Sequence, residues 1–203
     1  MARRTKAEAE QTREQILDAA ESVFLERGVA RASLEEIAQA AGVTRGAVYW
    51  HFRNKADLFD AMYGRVHLPM QDLFDQVVGL EEGNAIEALR TFCVQSLRCL
   101  ASNARRQRVY TILFHRCEFV DGLQESNERL IAIRDRWLAR MEDLLRREQT
   151  RGRLPAEVCP RLAAITIHTA MIGIYFDYLR SPHAYELDAQ AFPLIDLVFR
   201  ALS

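Results

Sequence analysis

Residues 33–58 read SLEEIAQAAGVTRGAVYWHFRNKADL, and this stretch predicts two short helices joined by a tight turn and followed by a third. Ser33 is a favoured helix N-cap, and Glu36 stands three positions later, which is the spacing of a capping box. Gly42 provides the positive φ with which such a helix ends, and Thr44 is placed to cap the second helix. The sequence therefore indicates a tight helical corner.

The second short helix, from Arg45 to about His51, buries Ala47 and Val48 and leaves its large polar side chains facing outward. A short helix, a glycine-containing turn and a second exposed helix are typical of the helix-turn-helix, whose second helix fits a DNA major groove. A plain helical corner is the alternative. Residues 42–55, however, carry three cations and no acid in a chain whose formal net charge is −1. This local charge favours DNA binding.

Apolar residues recur at helical spacing along the rest of the chain, and no strand-like alternation interrupts them, so we expect an all-α fold. A first helix ends at Gly28, and Asn54 opens a long helix with Pro69 inside, where we expect a kink. The helices are predicted at about residues 8–27, 34–41, 45–51, 55–78, 85–101, 105–119, 123–150, 161–180 and 191–202. The long fourth helix is either a plain connection or a lever between two halves.

The composition is that of an ordinary globular protein, with 49% hydrophobic and 27% charged residues. The N-terminus has no apolar signal-peptide region and begins with a basic arm of Arg3, Arg4 and Lys6, so we expect a cytoplasmic protein. No pair of its cysteines has CxxC spacing, and in that compartment we interpret them as reduced thiols. The four are Cys93, Cys99, Cys117 and Cys159.

Residues 161–180 predict a helix that is apolar on two faces. One stripe is Leu162, Ile165, Thr169, Ile172, Phe176 and Leu179, and the other is Ala163, Ile167, Ala170, Ile174 and Tyr178. One face can pack on its own bundle, whereas the other requires a partner, so we expect a homodimer held by a four-helix bundle. We assign the dimer contacts to Ala163, Ile167, Ala170, Ile174, Ile195, Val198 and Leu202. A membrane span is disfavoured, because the apolar run is under about 18 residues and contains His168 and Asp177.

Catalytic and metal-binding motifs are weak in this sequence. His115 and Cys117 lie two residues apart, a spacing that directs side chains to different faces of a helix. The chain contains no HExxH, CxxC, phosphate-binding glycine loop or GxSxG motif. We therefore expect no enzyme activity, no metal site and no cofactor.

The stretch TRGAVYWHFRNKADL, behind GVARASLEEIAQAAGV, resembles the DNA-binding domain of TetR-type repressors. It is most similar to the AcrR-like branch that controls multidrug efflux pumps. The resemblance runs from about Arg3 to Phe59 and continues more weakly through ILFHRCEF at 112–119. It implies a DNA-binding domain at 1–55 and a ligand-binding and dimerisation domain at 56–203, and it favours the lever. The expected DNA contacts are Ser33, Thr44, Arg45, Gly46, Tyr49, Trp50, His51 and Lys55, with Arg45 reading a base edge.

The resemblance also implies a ligand cavity inside the C-terminal bundle. Its expected walls are Leu89, Phe92, Cys93, Ser96, Tyr110, Leu113, Phe114, His168, Thr169, Ile172 and Phe176. Few polar groups among many apolar ones are typical of a site for a hydrophobic or aromatic inducer. Such an inducer would move the two recognition helices off the spacing of adjacent major grooves, roughly 34–36 Å. A redox-sensing repressor of the same fold, using Cys93, Cys99 or Cys117, is the alternative.

Overall fold

The computed structural model describes residues 6–80, 82–119 and 122–201, and within these ranges the chain forms nine α-helices and no strand. They are α1 (Lys6–Arg27), α2 (Leu34–Ala40), α3 (Arg45–His51), α4 (Lys55–Val78), α5 (Ala85–Ser102), α6 (Ala104–His115), α7 (Gln124–Thr150), α8 (Pro160–Arg180) and α9 (Leu187–Arg200). The all-α prediction is confirmed. Arg3, Arg4 and Leu202, to which we had assigned roles, lie outside the described residues.

The chain divides into two compact units. The first comprises Met1–Val66 with Arg108–Arg129, and the second comprises His67–Gln107 with Leu130–Ser203. Helices α4, α6 and α7 each contribute residues to both units. The compact units do not coincide with the predicted boundary after residue 55, which stays a proposal about where the DNA-binding function ends.

In the first unit, α2 and α3 pack on α1 and on each other, with Phe24 of α1 fully buried. The predicted capping box is present, because the Glu36 amide donates to Ser33 Oγ at 3.2 Å and the Ser33 amide donates to Glu36 Oε2 at 2.9 Å. Thr44 Oγ1 likewise accepts the Ala47 amide at 3.2 Å and starts α3. The backbone of Gly42 has φ of +66°. The local signals in residues 33–58 therefore produce the predicted helix-turn-helix.

In the second unit, α5 packs against α8 and α9, which also pack on each other. Ser96 of α5 and Tyr175 of α8 share a buried hydrogen bond of 2.8 Å between their hydroxyl oxygens. Helix α4 continues without interruption through Pro69. By length and composition alone α8 is long and apolar enough to reach across a membrane. A core helix of a soluble protein meets the same criterion, and the buried hydroxyl pair joins α8 to α5 within the second unit.

Helix α6 ends at His115 instead of at residue 119 as predicted. The carbonyl oxygen of Arg116, the next residue, accepts a hydrogen bond of 2.9 Å from the Val29 amide in the loop between α1 and α2. Gly28 precedes that amide with φ of +81°, and a Cβ added there would lie 3.3 Å from the Arg116 oxygen. The close approach of these two loops therefore ends α6 at His115, although the apolar periodicity predicted that the helix would continue.

This approach can be tested by comparing Gly28→Ala with Gly42→Ala. Both replace a glycine at positive φ, a strain of about 1–3 kcal/mol for other residues, so both should lower the free energy of unfolding in urea. Gly28→Ala should lower it further, because its Cβ also meets Arg116 O, whereas a Cβ at Gly42 meets nothing within 4 Å. Equal losses for the two variants would contradict a tight contact at Gly28.

Candidate DNA-binding surface and ligand site

Helix α3 buries Val48 and exposes four of the residues predicted to contact DNA, which are Arg45, Gly46, Tyr49 and Trp50, whereas the fifth, His51, is half-buried. The Arg45 guanidinium donates to Tyr49 Oη at 3.4 Å and lies 5.4 Å from the centroid of the same ring, one helical turn away. Trp50 is 72% exposed, and its ring lies edge-on to His51 with 4.5 Å between centroids. The helix thus presents one cation and two exposed aromatic rings to solvent.

A neutral phenol is a weak and replaceable partner for Arg45. A guanidinium that donates to a hydroxyl can exchange it for two acceptors on a base edge, because its planar fork matches the edge of guanine. Arg53, just beyond α3, pairs with Asp57 at 3.5 Å on the exposed start of α4. Of these two arginines, Arg45 is therefore the better placed for direct base reading.

Three other residues that were predicted to contact DNA form hydrogen bonds within the first unit. Ser33 Oγ donates to Glu36 Oε2 at 2.8 Å, and Thr44 Oγ1 caps α3 by accepting a hydrogen bond from the Ala47 amide. Lys55 Nζ donates to the carbonyl oxygens of Ala30 and Ala32, at 2.7 and 3.1 Å, and so fixes the loop before α2. Their predicted contacts with DNA stay predictions, and the role of Lys55 in holding that loop was missed by sequence reasoning. Gly46 lies exposed in the first turn of α3.

The two faces of α8 are reversed relative to the prediction. Ala163 and Ile167, which we had assigned to a dimer interface, are buried within the second unit, as is Ile195 of α9. Ala170, Ile174 and Val198 from the same assignment are half-buried. The exposed face is the other stripe, where Leu162 is 63% exposed. The rest of that face is Ile165, Thr169, Ile172 and Phe176.

The reversal has a simple physical reason. Small alanines let α8 approach its neighbours closely, so the stripe that contains Ala163 packs inside the unit. The larger stripe is left to solvent, and its Thr169, Ile172 and Phe176, which we had assigned to a ligand cavity, do not lie in the core of the second unit. Ala163, Ile167 and Ile195 are therefore too deeply buried to form dimer contacts, and the exposed stripe is the one available to a partner. The assignments of the half-buried Ala170, Ile174 and Val198 stay predictions.

The remaining residues of the predicted ligand site are distributed over both units. Leu89, Cys93 and Ser96 are buried in the second unit, where Phe92 and His168 are half-buried. Desolvation, followed by the charge of Arg134, lowers the pKa of His168. Tyr110, Leu113 and Phe114 belong to the first unit, where the rings of Tyr110 and Phe114 are stacked with centroids 5.9 Å apart.

An aromatic cluster in the second unit joins α4, α5 and α7. The rings of Phe74 and Trp137 are stacked, with centroids 4.1 Å apart and planes at 15°. Phe92, the member that had been predicted, lies 5.5 Å from Phe74 and 5.9 Å from Trp137. The imidazole of His67 lies 6.0 Å from Trp137, and its burial, with smaller effects from nearby arginines, lowers its pKa. The cluster is apolar, contains one stacked pair of rings, and has an uncharged imidazole favoured at its edge.

A cleft of about 380 Å³ also lies in the second unit, between α5, α9 and the loop after α7. Its walls are charged: Arg90 bridges Glu87 and Asp196 at 2.9 and 2.8 Å, and Arg153 faces the same cleft. This composition differs from the apolar one that we predicted for a ligand cavity. The aromatic cluster fits that prediction better than the cleft.

Metal and thiol chemistry find little support in the described parts of the chain. No group of three or more His, Cys, Asp or Glu side chains suited to a metal ion occurs there. All four cysteines are free thiols. Burial raises the pKa of Cys93 to about 12 and the pKa of Cys117 to about 11. Because the thiolate is the reactive form, these two thiols are poor candidates for oxidant sensing.

Comparison with known proteins gives matches over both ends of the chain. The family of bacterial regulatory proteins called tetR matches residues 16–62, and the C-terminal region of MAATS-type transcriptional repressors matches residues 84–203. The HTH-type transcriptional repressor BepR of Brucella suis biovar 1 (strain 1330) is 38% identical over 200 residues, which cover 98% of this chain and 96% of BepR.

Solved structures agree with these matches. NalD, the secondary repressor of the MexAB-OprM multidrug efflux pump in Pseudomonas aeruginosa, is 41% identical with a TM-score of 0.89, and the match covers 95% of this chain and 98% of NalD. A complex of SmeT with triclosan is 34% identical with a TM-score of 0.84, and the match covers 94% of this chain and 91% of SmeT. SmeT is the repressor of the Stenotrophomonas maltophilia multidrug efflux pump SmeDEF.

Proposed function

The chain belongs to the TetR family of bacterial regulatory proteins, and on that premise we propose that it represses a multidrug efflux operon and is released from its operator by a hydrophobic inducer. The observation that carries the DNA-binding part is the exposed face of α3, on which Arg45 donates to the Tyr49 phenol at 3.4 Å. The efflux part is supported by the similar repressors NalD and SmeT, whose targets are multidrug pumps. A regulator of this kind acts in the cytoplasm, where its operator lies.

Base reading by Arg45 is tested with Arg45→Ala. The probe is a duplex that the wild-type protein enriches from a random-sequence library, compared with an unrelated duplex at the same salt concentration. Affinity for the enriched duplex should fall by about 5- to 150-fold per half-site, the value of a bidentate base contact, whereas affinity for the unrelated duplex should change little.

The matched control is Arg146→Ala, which removes an exposed arginine that pairs with acids of its own helix, α7. This variant should bind both duplexes like the wild type. If Arg45→Ala retained its preference for the enriched duplex, another residue of α3 would have to read the sequence.

We also propose that the exposed stripe of α8 forms a homodimer interface together with α9. Leu162, Ile165 and Ile172 place large apolar side chains on one exposed face, and Leu197 adds another from α9. Isolated apolar side chains are common on protein surfaces, but a continuous stripe along a helix marks an interaction site. Two copies of this stripe are self-complementary across a two-fold axis. A dimer of this kind would present two copies of α3 to two half-sites.

The interface is tested by comparing Ile172→Glu with Ile131→Glu. The two isoleucines are similarly exposed, at 39% and 41%, but Ile131 lies on α7. A carboxylate buried between apolar surfaces is strongly unfavourable, so sedimentation should find Ile172→Glu monomeric at micromolar concentration while Ile131→Glu remains dimeric. A dimeric Ile172→Glu variant would place the interface elsewhere.

For the inducer we propose the aromatic cluster of Phe74, Phe92 and Trp137 as the contact surface. Stacked rings provide large flat apolar area, and a planar compound can replace one ring–ring contact with a similar one. Triclosan, which SmeT binds, is an aromatic compound suited to such a surface. The neutral form of His67 that burial favours would add a polar contact at the edge of the cluster without a buried charge.

The two tryptophans of the chain allow a direct test of this site. In Trp50→Phe the remaining indole is Trp137, and triclosan should quench its fluorescence because the ligand stacks beside it. In Trp137→Phe the remaining indole is Trp50 on α3, and its fluorescence should change little in the absence of DNA. Quenching in Trp137→Phe but not in Trp50→Phe would contradict the assignment.

The redox-sensing alternative is weaker. It requires a thiol that forms thiolate near neutral pH, and burial raises the pKa of Cys93 and Cys117 well above that range. A variant with all four cysteines replaced by serine or alanine distinguishes the two functions, because a ligand sensor keeps its response to inducer.

A further inference from the structure

We propose that the contact between Arg108 of α6 and Glu21 of α1 is a breakable tie that positions the DNA-reading helices. This inference rests on the proposed function, because it concerns how the affinity of α3 for the operator is set. Glu21 and Arg108 are 87 residues apart in the sequence and both belong to the first unit. The role assigned here is one of positioning, because neither residue lies on α3.

The carboxylate of Glu21 is shared by two arginines from different helices. Its side chain is 1% exposed. Arg65 of α4 donates to Oε1 at 2.8 Å, and Arg108 donates to Oε2 through Nη2 at 3.1 Å and through Nε at 3.3 Å. Because α1 carries both α2 and α3 on its surface, this carboxylate joins α4 and α6 to the helix on which the helix-turn-helix rests.

The two arginines are held unequally. The side chain of Arg65 is 11% exposed, and it also bonds Asp18 at 2.7 Å and Glu14 at 2.8 Å, so three acids on one face of α1 hold it. The side chain of Arg108 is 41% exposed, and its contacts to Glu21 are longer. Arg65 is therefore the tightly held counter-ion of Glu21, and Arg108 is the loosely held one.

This difference allows the Arg108–Glu21 contact to break while the Arg65–Glu21 contact remains. A buried carboxylate that loses every cation is strongly destabilising, whereas a half-exposed arginine that leaves its partner is rehydrated at little cost. If α6 moves, Glu21 keeps Arg65 and Arg108 turns to water. The contact of α6 with α1 therefore has two accessible states, made and broken, in a unit that stays folded in both.

A second bond fixes the other end of the same stretch of α6. The Arg116 carbonyl oxygen, directly after α6, accepts the Val29 amide at 2.9 Å in the loop that leads to α2. Between Arg108 and Arg116 the chain is thus bonded to α1 at one end and to the α1–α2 loop at the other. Because α6 begins at Ala104, in the part of the chain assigned to the second unit, a displacement of α6 that starts there can reach α1 through Arg108.

The first experiment measures DNA binding without any inducer, using Arg108→Gln, Arg108→Lys and the exposed control Arg146→Gln. Specific affinity for the library-enriched duplex should fall on the order of tenfold in Arg108→Gln, because the variant loses the charge-assisted contact of Arg108 with Glu21 that orders α1. Affinity for an unrelated duplex and the urea midpoint should stay near the wild-type values. Arg108→Lys should recover much of the specific affinity, and Arg146→Gln should bind like the wild type.

Unchanged specific affinity in Arg108→Gln would overturn the proposal. So would a parallel loss of specific affinity, non-specific affinity and urea midpoint that lysine does not restore, because that pattern describes a merely structural arginine.

The second experiment repeats the specific binding with triclosan present. In the wild type, triclosan should weaken binding by about 5- to 150-fold, and in Arg108→Gln the factor should be several-fold smaller, because the tie that transmits the shift is already broken. An equal factor in both proteins would overturn the proposal. If triclosan has no effect on the wild type, it is the ligand part of the proposed function that fails, and the inducer-free experiment still decides the role of Arg108.

Discussion

The buried carboxylate of Glu21 is the constraint on which the arrangement of the first unit depends. A carboxylate that is 1% exposed requires cations, and the chain supplies them from α4 and α6. Because α2 and α3 rest on α1, the helix that carries Glu21, we propose that this ion cluster sets the orientation of the DNA-reading surface. Hydrophobic packing alone would hold α1 less specifically, since apolar contacts have no preferred direction.

Local chemistry was readable from the sequence, and long-range chemistry was not. The starts of α2 and α3 were predicted from Ser33, Glu36 and Thr44, whose capping hydrogen bonds span three residues and are present. Arg65 and Arg108 lie 44 and 87 residues from Glu21, so no pattern along the chain connects them. Lys55 illustrates the same limit, because its bonds to the carbonyls before α2 join residues that are more than 20 positions apart.

Periodicity identified the two apolar faces of α8 but did not say which face packs inside. The deciding factor is side-chain size, since the face with Ala163 allows the closest approach of neighbouring helices, and the face with Leu162 is left exposed. The ligand site shows a related limit. Phe92 was predicted, whereas its partners Phe74 and Trp137 were not, because the register of α4 and α7 beside α5 is a property of the fold.

In the proposed mechanism, binding of the inducer weakens binding of the operator to the same protein, and this coupling must be reciprocal. The most direct measurement is calorimetric titration of triclosan into the free protein and into its complex with the library-enriched duplex. Triclosan should bind the DNA complex more weakly than the free protein, by the same factor by which triclosan weakens DNA binding. Equal affinity for the free and the DNA-bound protein would contradict it, because a ligand that binds two states equally shifts neither.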